Sequence, residues 1–127
     1  MSESEVEESE KIVIFATHGP EDPERASLPF VMGNAALAMD SQATVILQGT
    51  GVTLAKKGCY EHVFAAGLPS LKELVKSFIE LGGKIFVCMP CIKERQITKD
   101  MLVDEAEPTA AGKVVHEVLG ANATLNY

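Results

Sequence analysis

Apolar runs alternate with stretches of helical periodicity along this chain. Three runs consist almost entirely of aliphatic or aromatic residues, as is typical of strands buried on both faces of a parallel sheet: residues 11–16, 43–48 and 84–88. Two weaker runs, 101–103 and 123–125, predict a short strand and a final edge strand. The alternation of strands and helices predicts one α/β domain at residues 11–127, with a parallel sheet of about five strands and helices on both faces.

Cap and stop signals predict where the helices lie. Asp22 and Pro23 have the residue types of an N-cap and a first helical position. Pro29 indicates either a kink or a later start near Ser27. The apolar residues that follow share one helical face: Leu28, Val31, Met32, Ala35, Ala38 and Met39. This segment is the predicted first long helix.

Two more helices follow in the sequence. Ser70 and Glu73 form a capping box, and Gly82-Gly83 predicts where that helix ends. Its predicted buried stripe contains Leu71, Leu74, Val75, Phe78 and Ile79. Pro108 predicts the start of a last helix, whose apolar face contains Ala111, Val114, Val115, Val118 and Leu119.

Composition and charge exclude several classes of protein. Hydrophobic residues make up 46% of the 127 residues and aromatic residues 6%, so the core is aliphatic. No apolar run approaches the ~20 residues that span a bilayer, so we expect no membrane segment. Residues 1–10 carry five glutamates and no base, which predicts an acidic disordered tail and, since a signal peptide begins basic and apolar, a cytoplasmic protein. Residues 11–127 contain 13 acidic and 11 basic residues without a basic stripe, so nucleic acid is not a predicted partner.

The motif Cys88-Met89-Pro90-Cys91 follows the strand at 84–87. Backbone N–H groups at the start of a following helical turn favour the thiolate, so we expect a lowered pKa for Cys88. A lone cysteine at a strand end is usually a small buried hydrophobe. A second thiol three residues later instead indicates sulfur chemistry, redox chemistry or a metal.

Zinc is the metal that two thiols most readily suggest. A structural zinc site needs four ligands, and the motif supplies two. The other candidate ligands, Cys59, His18 and His62, are not paired at ligand spacing, so we predict no metal and no cofactor. A zinc ion bound by the cysteine pair stays an open alternative. The role of Cys59 stays open.

Three loops are predicted to meet at the carboxyl edge of the sheet, where open parallel sheets bind ligands: 18–22, 49–51 and 88–91. His18 is either an acid, base or thiolate partner, or a surface residue. Arg95 is either a counter-charge for the thiols or a solvated helix residue. Gly49-Thr50-Gly51 is similar to a phosphate-binding turn but lacks the Lys-Ser/Thr pair of a P-loop, so a plain strand-to-helix turn is predicted.

Residues 87–97 resemble the cysteine motif of the DsrE/DsrF-like family of small sulfur-relay proteins, in its branch with a Cys-x-x-Cys motif. Cys88 matches the sulfur-accepting cysteine of the family and Arg95 its arginine, whereas Gln96 stands where glycine is usual. The resemblance extends to 19–22, to Gly49-Thr50-Gly51-Val52 and to the ending 124–127.

The resemblance implies a single flavodoxin-like or Rossmann-like domain that assembles as a homotrimer or homohexamer. It also implies sulfur-donor and sulfur-acceptor partner proteins, with Cys88 as persulfide carrier. Cys91 is then a resolving thiol, which attacks the persulfide, releases sulfide and leaves a disulfide. Two other functions stay open: a thiol–disulfide redox protein, and a non-catalytic oligomeric module that binds a small molecule or nucleotide and uses the cysteines only as core residues.

Overall fold

The computed structural model of the protein describes residues 9–127. The predicted tail therefore lies outside the described residues except for its last two positions. The strands are β1 (Lys11–Ala16), β2 (Gln42–Leu47), β3 (Lys84–Cys88), β4 (Ala106–Thr109) and β5 (Ala123–Asn126). The helices are α1 (Pro23–Ala38), α2 (Leu71–Glu80), α3 (Met89–Glu94) and α4 (Ala111–Leu119). Single 3₁₀ segments cover Gly49–Ala55, Tyr60–His62 and Lys99–Met101.

All five strands form one parallel sheet in the order β4-β3-β2-β1-β5. The predicted fold class, a five-stranded α/β sheet with helices on both faces, is confirmed. The last strand joins the sheet beside β1 and so occupies one edge, as predicted. Because every neighbouring pair is parallel, all five carboxyl ends lie along the same edge of the sheet.

The main core lies between one face of the sheet and helices α1 and α2. The rings of Phe30 and Phe78 meet edge to face there, with centroids 5.5 Å apart. Helix α2 agrees closely with its prediction: the Ser70 hydroxyl accepts a hydrogen bond from the Glu73 N–H at 3.3 Å, and Gly82, at φ 94°, follows the helix. Such a φ suits glycine, which has no Cβ to clash with the backbone.

Helix α1 differs from its prediction in where it starts and in which face it buries. Asp22 caps it, accepting a hydrogen bond from the Arg25 N–H at 3.1 Å, and the helix runs through Pro29, so the alternative start near Ser27 is wrong. The buried residues are Ala26, Ser27, Pro29, Phe30 and Gly33. The predicted face is more exposed, and Met39 is 78% exposed. Small residues let α1 approach α2 so closely that a Cβ at Gly33 would lie 2.6 Å from the Phe78 ring.

The segment around β4 is the largest correction to the sequence analysis. The predicted strand at 101–103 does not form: Met101 ends a 3₁₀ segment, and Leu102 makes only an isolated bridge to Lys56. Pro108 lies inside β4 instead of starting the last helix. Strand β4 is at the edge and pairs with β3 alone, so the missing N–H of Pro108 is tolerated there. The last helix therefore begins later, at Ala111.

Helix α4 covers only part of the second face of the sheet. Val114 and Val118 pack there against Val13, Ile46 and Phe86. The other members of the predicted apolar face do not: Val115 is 55% exposed and Leu119 is 80% exposed. The buried residue of this helix is instead an acid, Glu117, which is 5% exposed.

Glu117 fastens α4 to the first strand through an ion pair. Its Oε1 lies 2.7 Å from the Nζ of Lys11, and its Oε2 lies 3.3 Å from the Nζ of Lys113. Burial raises the pKa of Glu117, but the hydrogen bonds from both lysines outweigh it, and the pKa falls below its ordinary value of 4.5. The charged carboxylate is therefore the form that the folded protein stabilises.

Replacing Glu117 by glutamine is expected to lower the free energy of unfolding by about 2 kcal/mol at neutral pH, because a charge-assisted hydrogen bond is lost. The pKa is lower in the folded than in the unfolded chain, so this stabilisation is present above pH 4.5 and is lost as the pH falls through the folded value. Urea unfolding at several pH values measures it. Glu80→Gln is the control, because Glu80 is exposed and forms only a 3.9 Å ion pair with Lys76. This substitution should change the free energy of unfolding by less than about 0.5 kcal/mol. Equal effects of the two variants would contradict the assignment.

Candidate functional site

The two cysteines of the motif are in direct contact. Cys88 is the last residue of β3 and the N-cap of α3, and Cys91 lies in the first turn of that helix. Pro90 suits this turn because its fixed φ is already helical. The two Sγ atoms are 2.7 Å apart, and both residues are half-buried free thiols. Since a disulfide bond is about 2.05 Å long, a small movement is enough to join them.

A backbone N–H from the neighbouring loop holds Cys91. The Gly49 N–H donates to the Cys91 Sγ at 3.3 Å, and the Cys91 thiol donates in turn to the Cys88 Sγ. Gly49 follows β2 and has a φ of 55°, a left-handed conformation that glycine adopts at little cost. The hydrogen bonds therefore run from Gly49 through Cys91 to Cys88, and Cys88 is the acceptor at their end.

The predicted lowering of the Cys88 pKa is wrong. Burial raises the pKa of the Cys88 thiol, and the side-chain hydrogen bond with Cys91 raises it further. The Cys91 N–H and the Arg95 guanidinium lower it, but by less. Helix α3 has only six residues, so the dipole at its N-terminus is a weak source of positive potential. Cys88 is therefore mainly a thiol at neutral pH.

The three loops predicted to meet at the carboxyl edge of the sheet do so. A Cβ built on Gly51 would lie 2.1 Å from the carbonyl oxygen of Ala16, and one built on Gly19 would lie 2.9 Å from that of Thr50. The loops after β1 and β2 are thus in close contact, and Gly49 joins the second of them to Cys91. Residues 49–55 form a 3₁₀ helix, so the segment predicted as a plain strand-to-helix turn is already helical from Gly49 onward.

Arg95 lies beside the cysteine pair. Its Nη1 donates to the Cys91 carbonyl oxygen at 3.1 Å, and its charge lowers the pKa of Cys88. Gln96 follows with a φ of 56°. A left-handed residue costs about 1 kcal/mol when it is not glycine. Position 96, where the family motif usually has glycine, therefore requires a left-handed backbone that glutamine adopts less readily than glycine.

His18 lies at the same edge but in a neighbouring hollow. Its Nδ1 is 3.3 Å from the Thr17 Oγ1. Within residues 9–127, no hydrogen bond connects it to either cysteine. The hollow has a volume of about 440 Å³ and is also lined by Phe15, Thr17, Arg25, Gln48, Asn126 and Tyr127. Strand β2 lies between the strands that carry His18 and Cys88, and a role for His18 at the thiols stays a prediction.

The described part of the chain contains no group of three or more His, Cys, Asp or Glu side chains placed to hold a metal ion. Cys88 and Cys91 would offer only two ligands. Cys59 precedes the 3₁₀ segment Tyr60–His62 and has no hydrogen bond to the pair within residues 9–127. No helix in residues 9–127 is both long and apolar enough to cross a membrane.

Sequence reasoning missed two residues of this site. It treated Gly49 as a turn residue and not as a donor to sulfur. It did not find Thr109, which β4 places in register with Cys88, because residues 108 onward were assigned to a helix. A proline followed by a β-branched residue is compatible with an edge strand, and this is the signal that could have found Thr109.

Known proteins share this fold and parts of this sequence. The uncharacterized protein MJ0760 of Methanocaldococcus jannaschii is 30% identical over 118 residues, which are 93% of this chain but only 39% of that protein. MJ0989 of the same organism is 31% identical over 97 residues, 76% of this chain and 82% of that protein.

Two solved structures superpose on almost the whole chain. The YchN protein of E. coli aligns with a TM-score of 0.68 at 17% identity, over 93% of this chain and 99% of that one. The protein of unknown function MTH1491 of Methanobacterium thermoautotrophicum aligns with a TM-score of 0.74 at 14% identity, over 94% of this chain and 100% of that one. The sequence model of the DsrE/DsrF-like family matches residues 10–127 of this chain. This chain therefore belongs to the DsrE/DsrF-like family.

Proposed function

We propose that the protein is a sulfur carrier of the sulfurtransferase type, in which Cys88 accepts persulfide sulfur and Cys91 resolves it. The observation that carries this proposal is the 2.7 Å contact between the two sulfurs, with Cys91 held by the Gly49 N–H. Membership of the DsrE/DsrF-like family supports sulfur as the group that is carried.

In the first step, Cys88 takes up sulfur. The Cys88 thiolate attacks the outer sulfur of a donor persulfide, a new S–S bond forms, and the S–S bond of the donor breaks. Cys88 then carries the persulfide, and the donor leaves as its thiolate. Because the pKa of Cys88 is raised, its proton must leave before or during this attack.

In the second step, Cys91 resolves the persulfide. Its sulfur attacks the Sγ of Cys88, the S–S bond to the outer sulfur breaks, and hydrogen sulfide leaves with the proton of Cys91. The product is a Cys88–Cys91 disulfide, which a dithiol reductant must reduce before the next cycle. An acceptor thiol that attacks the outer sulfur first would instead receive the sulfur and leave Cys88 free.

Arg95 and His18 have supporting roles in this proposal. The Arg95 guanidinium favours the Cys88 thiolate, and its hydrogen bond to the Cys91 carbonyl keeps it at the pair. His18 lines the hollow next to Gln48, which precedes Gly49. In this position it can accept or supply a proton for a donor or acceptor molecule that approaches the edge of the sheet.

A second candidate function is thiol–disulfide exchange without sulfur transfer. The same contact between sulfurs favours it, since two adjacent thiols can pass electrons to a disulfide substrate. The two functions differ in one product. Sulfur transfer forms sulfide or a persulfide, whereas simple exchange forms neither.

Partner proteins that donate and accept sulfur, a homotrimeric or homohexameric assembly and a cytoplasmic location are part of the same proposal. The exposed apolar side chains of α4, Val115 and Leu119, support assembly. Light scattering measures the assembly, and a monomer at micromolar concentration would speak against it.

The proposal is tested with the reduced protein and one equivalent of a low-molecular-weight persulfide. We expect the intact mass of the product to fall by two hydrogens, and peptide mapping to locate a disulfide between Cys88 and Cys91. An unchanged mass, or sulfur found on Cys59 alone, would contradict the proposal.

A further inference from the structure

Thr109 is a buried threonine at the carboxyl end of β4. It is 6% exposed, and within residues 9–127 its Oγ1 has no hydrogen-bond partner. Buried hydroxyls in proteins are normally paired, and Ser27 of this chain is an example, since its Oγ donates to the Pro23 carbonyl at 2.8 Å. An unpaired buried hydroxyl is costly and calls for an explanation.

The sheet places Thr109 beside the reacting cysteine. Thr109 ends β4 as Cys88 ends β3, and the two residues are direct partners in the parallel register. Neighbouring strands lie about 4.8 Å apart, and paired residues project to the same face. The side chains of Thr109 and Cys88 are therefore neighbours at the carboxyl edge of the sheet.

We propose that the Thr109 hydroxyl donates a hydrogen bond to the Cys88 sulfur when that sulfur carries negative charge, in the thiolate that attacks the donor persulfide. This role rests on the proposed function, because it assigns a hydrogen-bond donor to the attacking sulfur. Thr109 keeps its proton throughout, and no bond to it forms or breaks. The neutral thiol is a poor acceptor, so the hydroxyl gains its partner as charge develops.

The charged groups around Cys88 are few. Helix α3 carries Cys91, Lys93 and Glu94 and is followed by Arg95, and of these Cys91 and Arg95 act on the pKa of Cys88. Strand β4 contributes the exposed Glu107. Helix α4 contributes Lys113, whose Nζ lies 5.4 Å from the centre of the Phe86 ring. The 3₁₀ segment Gly49–Ala55 has no titratable side chain. A substitution at Thr109 leaves all of these groups in place, so it isolates the hydroxyl.

The test is the pH dependence of Cys88 alkylation, followed by peptide mapping of the full chain. Thr109→Val keeps the shape and removes the donor, so we expect its profile to move about one unit to higher pH and the rate at pH 8 to fall about tenfold. Thr109→Ser restores the donor and should lie within about twofold of the wild-type rate. Thr44→Val is the control, since Thr44 is buried in β2 and lies four residues below the level of Cys88 in the sheet register.

The role of Thr109 would be overturned if Thr109→Val left the pH profile of Cys88 alkylation unchanged. It would also be overturned if Thr109→Ser moved the profile as far as Thr109→Val does, or if Thr44→Val moved it equally far. Thermal unfolding shows whether Thr109→Val folds, and Thr109→Ala takes its place if it does not. Alkylation needs no sulfur donor. A displaced profile in a protein that takes up no sulfur would therefore leave the hydrogen bond standing and refute the proposed function.

Discussion

Cys88→Ser is expected to take up no sulfur from a persulfide donor, with a loss of about 1,000-fold or more in rate, because the attacking sulfur has been removed. A serine hydroxyl has nearly the shape of the thiol, so the strand end and the first turn of α3 should keep their structure. It does not form an anion near neutral pH and does not attack sulfur. The measurement is the intact mass of the protein after incubation with the donor.

The other two cysteines provide matched controls. Cys59→Ser should behave as the wild type, since Cys59 forms no hydrogen bond with the pair within residues 9–127. Cys91→Ser should gain the mass of one sulfur and keep it, since the resolving thiol is absent. Uptake by Cys88→Ser at the wild-type rate would show that another residue accepts the sulfur.

Gly51→Ala is expected to destabilise the protein by about 3 kcal/mol or more, because the new methyl group has no space. It would lie 2.1 Å from the carbonyl oxygen and 2.8 Å from the carbonyl carbon of Ala16, and both are backbone atoms of β1. A flexible side chain could move away, but a strand inside the sheet cannot. The loop after β2 must shift instead and draw the Gly49 N–H away from Cys91.

Gly112→Ala is the matched control for this substitution. Gly112 lies in α4, and a Cβ built there meets no atom within 4 Å. The same change should therefore stabilise the protein, by up to about 1 kcal/mol, through the higher helix propensity of alanine. Urea unfolding measures both variants. Similar stability of Gly51→Ala and the wild type would contradict the close packing of the two loops.

Strands β1, β2 and β3 and the position of Cys88 could be predicted because their signals are local. Consecutive aliphatic residues mark β1, β2 and β3, and the run at 84–88 fixes Cys88 at a strand end. Strand pairing then brings the three loops to one edge. The contact between Cys88 and Cys91 follows from their spacing in a single helical turn.

Other features depend on contacts that a linear pattern does not contain. Strand β4 carries Pro108, and only its place at the edge of the sheet makes that proline acceptable. The buried face of α1 consists largely of small residues, and a search for large apolar residues at helical spacing does not select them. The pKa of Cys88 depends on burial, and the pairing of Thr109 with Cys88 depends on the strand that was missed.

The central claim is that Cys88 and Cys91 act as a pair on one sulfur atom. Its most direct test counts free sulfide after a single turnover, with one equivalent of persulfide donor, no added reductant, and the wild type and Cys91→Ser side by side. We predict close to one sulfide and one disulfide per wild-type chain, and a stable persulfide without sulfide from Cys91→Ser. Sulfide release that is equal in the two proteins, or a wild-type disulfide that forms without any sulfide, would contradict the claim.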